Sequence, residues 1–233
     1  MHRRIAIYLT CTDDSVLKAQ FPNYAQMLET VLSPHLPKAV FEHFDVTTGV
    51  FPDDPTAFDA VVVTGSVANV SDDLPWMETL FEHIRKMDAA KTKLLGICFG
   101  HQAIATALGG RVEPREVNLG APQIAIGAAR EWMVPERETL SLFAGNFQQV
   151  VELPDGMRVL AGSVKCPNTL TEKGNHVLSM QYHPEFSAEY MRGYVALVED
   201  KVGQAICDAA LAEIDTGHDG ALFGQWAAQF LAG

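Results

Sequence analysis

The apolar positions of this chain change period several times, and the changes mark its elements. Residues 4–10 carry a continuous apolar run, Ile5, Ala6, Ile7, Tyr8 and Leu9. It predicts a short buried strand, closed by Thr10, Cys11, Thr12, Asp13 and Asp14. Tyr24, Met27, Leu28, Val31 and Leu32 then recur at i, i+3, i+4, i+7 and i+8, the spacing of one helix face. Pro22-Asn23 opens that helix, and Pro34 and Pro37 end it. Residues 39–46 predict a second strand, with Val40, Phe44 and Val46 on one alternation. Residues 59–64 contain Ala60-Val61-Val62-Val63, an unbroken run suited to a central strand buried on both faces; Gly65-Ser66 breaks it. Pro75 starts a helix with the stripe Trp76, Leu80, Phe81, Ile84 and Met87. Residues 93–97 form another apolar strand, and Ile104, Ala107 and Leu108 suggest a helix that stops at Gly109-Gly110.

Strands alternating with helices in this way predict an α/β fold: an open, mainly parallel sheet with helices on both faces. The second half changes character. Residues 111–170 hold short strand-like pieces separated by turns such as Pro154-Asp155-Gly156, and predict a smaller mixed β region. Residues 176–182 form a late strand. Helices follow, with stripes at Ala210, Leu211 and Ile214, then Leu222, Trp226, Phe230 and Leu231. No internal repeat, low-complexity tract or long linker interrupts residues 1–233, which read as one domain.

Composition narrows the possible functions. Hydrophobic residues are 48% and charged residues 20% of 233, so the chain can bury a core and is not disordered for most of its length. The net charge of −12, with no lysine- or arginine-rich run, disfavours a nucleic-acid partner. The basic start Met1-His2-Arg3-Arg4 precedes an apolar run too short for a signal core, and no stretch approaches the ~20 apolar residues of a membrane span. A cytoplasmic location is therefore expected. Cys11, Cys98, Cys166 and Cys207 are widely spaced, with no C-x-x-C pair. That spacing argues against a metal site or a disulfide framework and leaves room for one catalytic thiol.

The thiol with a chemical setting is Cys98. In Gly96-Ile97-Cys98-Phe99-Gly100-His101-Gln102 a buried strand runs into a helix through a turn flanked by glycines. This is the pattern of a nucleophile elbow with cysteine in the serine position. It pushes the sulfur out at the carboxyl edge of the sheet and aims a helix N-terminus at it, where an anion is favoured. Alone, the pattern fits a buried structural cysteine equally well. His183-Pro184-Glu185 tips the balance, because i and i+2 of an extended segment project to one side, and Pro184 biases His183 to that conformation. An imidazole and an orienting carboxylate can then stand in line with the thiol. Thr64-Gly65-Ser66, at the end of a central strand, supplies backbone amides that with the Phe99 amide could form an oxyanion hole.

Taken together, G-I-C-F-G-H-Q, the later H-P-E and the upstream V-T-G-S loop resemble class I glutamine amidotransferase domains with a Cys-His-Glu triad. The resemblance covers most of the chain, from about Ile5 to at least Phe186. Tyr24, Phe51-Pro52 and the 72–76 stretch look closer to the free-standing, GMP-synthetase-like branch, and plant γ-glutamyl peptidases share the elbow. The resemblance implies Cys98 as nucleophile with His183 and Glu185 as partners, Gly65 and Phe99 as oxyanion donors, and Gln102 as a contact to the glutamyl moiety. It implies a γ-glutamyl thioester, and neither metal nor cofactor. The sequence departs from the family at Gly145-Asn146-Phe147-Gln148-Gln149: Asn146 stands where histidine is usual and Gln148 where an acid is usual, in a segment that helps hold the glutamyl backbone in relatives. Asn146 and Phe147 are therefore candidate substrate contacts. Any ammonia acceptor is expected to be a separate synthase subunit. Three functions remain open: an amidotransferase subunit that hands over ammonia, a stand-alone hydrolase of γ-glutamyl amides or peptides, and a catalytically quiet binding module.

Overall fold

In the computed structural model, residues 2–11 and 15–233 are described; Met1 and the Thr12, Asp13 and Asp14 positions that close the first apolar run lie outside them. The first half is built where the periodicity places it: β1 (Arg3–Leu9), α1 (Tyr24–Leu32), β2 (Ala39–Asp45), β3 (Ala60–Val63), α2 (Pro75–Ala90), β4 (Lys93–Ile97) and α3 (Phe99–Ala107). Local chemistry starts the helices. Asn23 and Gln26 form a reciprocal capping box at α1, and Pro75 occupies the first turn of α2, where its missing N–H costs nothing. Alternation along β1 sends Ile5 and Ile7 into one core with α1, and Ala6 and Tyr8 into a second core with α2 and α3. Helices therefore cover both faces of the sheet.

The second half comprises β5 (Arg111–Gly120), β6 (Gln123–Ile126), β7 (Thr139–Ser141), β8 (Ala144–Glu152), β9 (Met157–Gly162), β10 (Leu170–Lys173) and β11 (Val177–Met180). After them come α4 (Ala188–Val202), α5 (Gln204–Ile214) and α6 (Gly220–Ala232). The large sheet runs β2-β1-β3-β4-β11-β10-β9-β6-β7. Its first five strands are parallel, and its last four pair antiparallel. The mixed β region of the sequence reading thus divides in two: β6, β7, β9 and β10 extend the main sheet, while β5 and β8 form a separate antiparallel ribbon.

Register decides what meets at the carboxyl edge. Val63 of β3 lies opposite Gly96 of β4, and Gly96 lies opposite Ser179 of β11. The three central strands end almost abreast, so the loops that leave them, carrying Gly65, Cys98 and His183, emerge side by side.

Candidate active site

Cys98 sits between β4 and α3 at φ 50°, ψ −99°, a conformation an L-residue adopts only under constraint. Both flanking glycines are needed to build it. A Cβ on Gly96 would lie 2.5 Å from Ile104 Cδ1, and a Cβ on Gly100 would lie 2.3 Å from the Val63 carbonyl oxygen. Backbone bonds lock the turn: Cys98 N donates to Met180 O at 2.8 Å and Gly100 N to Thr64 O at 3.0 Å. The sulfur stands at the N-cap of α3, whose first intrahelical bond runs from Gln102 N to Cys98 O at 3.1 Å. Behind the elbow, His101 Nδ1 meets Ser179 Oγ at 2.8 Å, and Ser179 Oγ meets Thr171 Oγ1 at 2.8 Å, which ties α3 to β11 and β10. Burial drives the pKa of His101 down to about 3, so it is a neutral strut.

His183 and Glu185 lie just past β11 rather than within it, and a single bridge to Phe143 holds the segment, with His183 N donating to Phe143 O at 2.7 Å. Nδ1 of His183 is 2.8 Å from Glu185 Oε1. The imidazole stacks on Phe186, with centroids 3.9 Å apart and planes 6° from parallel, and Tyr24 meets it edge-on at 6.3 Å. Burial disfavours the imidazolium, but the Glu185 carboxylate, together with Cys98, outweighs it and raises the His183 pKa well above the ordinary histidine range.

The remaining sequence-derived candidates fall into two groups. Gly65 lies against His183, and the Gly65 and Phe99 amides donate to no protein acceptor among the described residues. Phe99, Gln102, Asn146 and Phe147 line a cleft of about 230 Å³ that also has Cys98 in its wall. Gln102 Nε2 donates to Gln148 O at 3.0 Å and to Gln181 Oε1 at 3.1 Å, and Asn146 Nδ2 donates to Gln148 O at 3.0 Å. Asn146 is buried, and its Oδ1 has no partner among the described residues. The Phe147 ring lies beneath Lys201 Nζ at 3.6 Å.

Sequence reasoning passed over Gln181. It is fully buried, and its Nε2 donates to Cys98 Sγ at 3.6 Å. Its parity with His183 and Glu185, two residues apart along one segment, was the available signal. None of the four cysteines is disulfide-bonded, and among the described residues no cluster of three or more His, Cys, Asp or Glu side chains could hold a metal ion. Nor is any helix among them long and apolar enough to cross a membrane.

Comparison with known proteins bears on what this arrangement does. A family model described as glutamine amidotransferase class-I matches residues 38–196. Gamma-glutamyl peptidase 5 of Arabidopsis thaliana is 29% identical over 200 residues, spanning 81% of this chain and 78% of the relative. The glutamine amidotransferase-like protein chry6 of Gibberella zeae is 32% identical over 175 residues, 72% of this chain and 70% of its own. A solved glutamine amidotransferase from Thermotoga maritima shares the fold, with a TM-score of 0.80 over 100% of both chains at 17% identity.

Proposed function

The chain belongs to the class-I glutamine amidotransferase family, and from that membership we propose that it is a stand-alone hydrolase of γ-glutamyl amides or peptides with Cys98, His183 and Glu185 as its catalytic triad. The observation that carries this reading is the strained Cys98 conformation at the head of α3, together with an imidazole that interacts with Cys98 and that Glu185 holds at 2.8 Å. A packed structural cysteine has no use for such strain.

The chemistry follows from the geometry. His183 takes the proton of the Cys98 thiol, and Cys98 Sγ attacks the γ-carbonyl carbon so that a C–S bond forms. The N–H groups of Gly65 and Phe99 receive the oxyanion. Collapse breaks the C–N bond while His183 delivers its proton to the departing nitrogen, leaving a γ-glutamyl thioester. Water then attacks the thioester carbon and gives a proton to His183. The C–S bond breaks, and glutamate leaves. Glu185 orients the imidazole and stabilises its charged form throughout. Four cysteines without a disulfide suit a reducing compartment, so the cytoplasm is the proposed location.

Two observations favour the hydrolase over an ammonia donor to a separate synthase. The relatives include γ-glutamyl peptidases. The 145–149 segment also carries Asn146 and Gln148 in place of the family's histidine and acid, which weakens the hold on plain glutamine and favours substrates with a larger leaving group. A quiet binding module would not need the Cys98 strain.

The test is a panel of glutamine, γ-glutamyl amines and γ-glutamyl peptides, assayed for glutamate release by the wild type and by Cys98→Ser. Release from the peptides that disappears in Cys98→Ser is the expected result. No release from any member, or release undiminished in the variant, would sink the proposal. Efficiency with plain glutamine at or above about 10⁴ M⁻¹s⁻¹ would favour the ammonia-donor reading instead.

A further inference from the structure

Among the described residues, the cleft beside Cys98 has one formally charged side chain in its wall, Lys201 near the C-terminus of α4. Lys201 makes no ion pair among the described residues; its ammonium rests on the Phe147 ring at 3.6 Å. The family's usual acid is absent here, since Gln148 occupies its place. The charge on this side of the nucleophile is thus positive.

The neighbouring polar group complements that charge. The Gln148 carbonyl takes two donors, Gln102 Nε2 and Asn146 Nδ2, each at 3.0 Å. The second bond orients the Asn146 amide and leaves Oδ1 as a buried acceptor without a partner among the described residues. A buried acceptor of this kind is costly to leave unpaired. The lining of the cleft therefore combines Asn146, whose Oδ1 is a buried acceptor unpaired among the described residues, with the cation of Lys201. His183, which serves the leaving nitrogen, is not part of the cleft wall, so the cleft takes the acyl half of the substrate.

Resting on the hydrolase reading above, we propose that Lys201 binds the α-carboxylate of the glutamyl group while Asn146 Oδ1 accepts from its α-ammonium, so that the protein selects acyl groups carrying a free α-carboxylate. Phe147 acts as the platform that parks the Lys201 ammonium over the cleft when no carboxylate is bound.

Two measurements test this on the full chain. The first compares kcat/KM for γ-glutamyl-p-nitroanilide and for 4-aminobutyryl-p-nitroanilide, which lacks the α-carboxylate. Lys201→Met should lower the first value by about 10- to 100-fold, chiefly through KM, leave the second unchanged, and be rescued by Lys201→Arg. The second is titration with L-glutamate and with 4-aminobutyrate, which needs no turnover. Lys201→Met should weaken glutamate binding by a similar factor of about 10–100 and leave 4-aminobutyrate alone. Equal losses for both members of a pair, or no loss for either, overturn the Lys201 assignment. Lys201-dependent glutamate binding in a protein that hydrolyses neither anilide upholds the assignment and overturns the hydrolase reading.

Discussion

Gly65 and His183 stand so close that a Cβ on Gly65 would lie 2.9 Å from His183 Cε1. The strand-end loop that supplies a candidate oxyanion amide is also the wall that holds the candidate general base. Gly65→Ala should therefore displace the imidazole. The expected loss in kcat is about 10- to 100-fold, since small misplacements of reacting groups are this costly. The accompanying destabilisation should be modest, about 1–3 kcal/mol of overpacking. Steady-state kinetics beside a urea melt separate the two, and unchanged kcat would show that the ring is free to yield.

The elbow glycines should behave differently from a glycine in open space. At Gly100 the obstacle is the Val63 carbonyl at 2.3 Å, part of a central strand that cannot move. Gly100→Ala should cost more than about 2 kcal/mol or prevent folding. Gly127 has nothing closer than Leu160 O at 3.7 Å, and Gly127→Ala should lie within about 1 kcal/mol of the wild type. Chemical denaturation of both variants checks the contrast.

Gln181 bridges Cys98, the proposed nucleophile, and the proposed acyl cleft, donating to Cys98 Sγ and accepting from Gln102 Nε2. Gln181→Leu keeps the volume but leaves the sulfur without that donor. Turnover should fall about tenfold, as for one lost hydrogen bond in a buried site. A variant with wild-type kcat would reduce Gln181 to a packing residue.

The pH dependence follows from His183. Its pKa is raised because Glu185 and Cys98 outweigh burial. The imidazolium proposed to protonate the leaving group thus survives well above pH ~6.5, and the alkaline limb of kcat/KM should lie there. Glu185→Gln removes a raising influence, so that limb should move to lower pH by about one unit or more. Folding stability linked to the same proton is complete below about pH 6.5 and is lost as pH rises through the raised value. Urea midpoints of the wild type should fall over that range, and those of His183→Gln should fall less. An alkaline limb unmoved in Glu185→Gln would contradict the assigned coupling.

The sequence alone determined the α/β architecture and the cluster of candidate groups. Apolar runs such as Ala60–Val63, and the i, i+3, i+4 stripe of α1, are local signals that survive without knowledge of any partner. The elbow was legible for the same reason: its glycines answer to a steric demand set within a few residues. Tertiary structure decided the rest. A short strand such as Gln123–Ile126 presents the same ladder groups to any neighbour, and only long-range register attached it to the main sheet while β5 and β8 paired apart. Register also set Val63, Gly96 and Ser179 abreast, which is what brings Gly65, Cys98 and His183 to one edge. Lys201 meets Phe147 across 54 positions only because α4 folds over the β8 ribbon strand. No periodicity encodes such a contact; it exists once both elements have found their places.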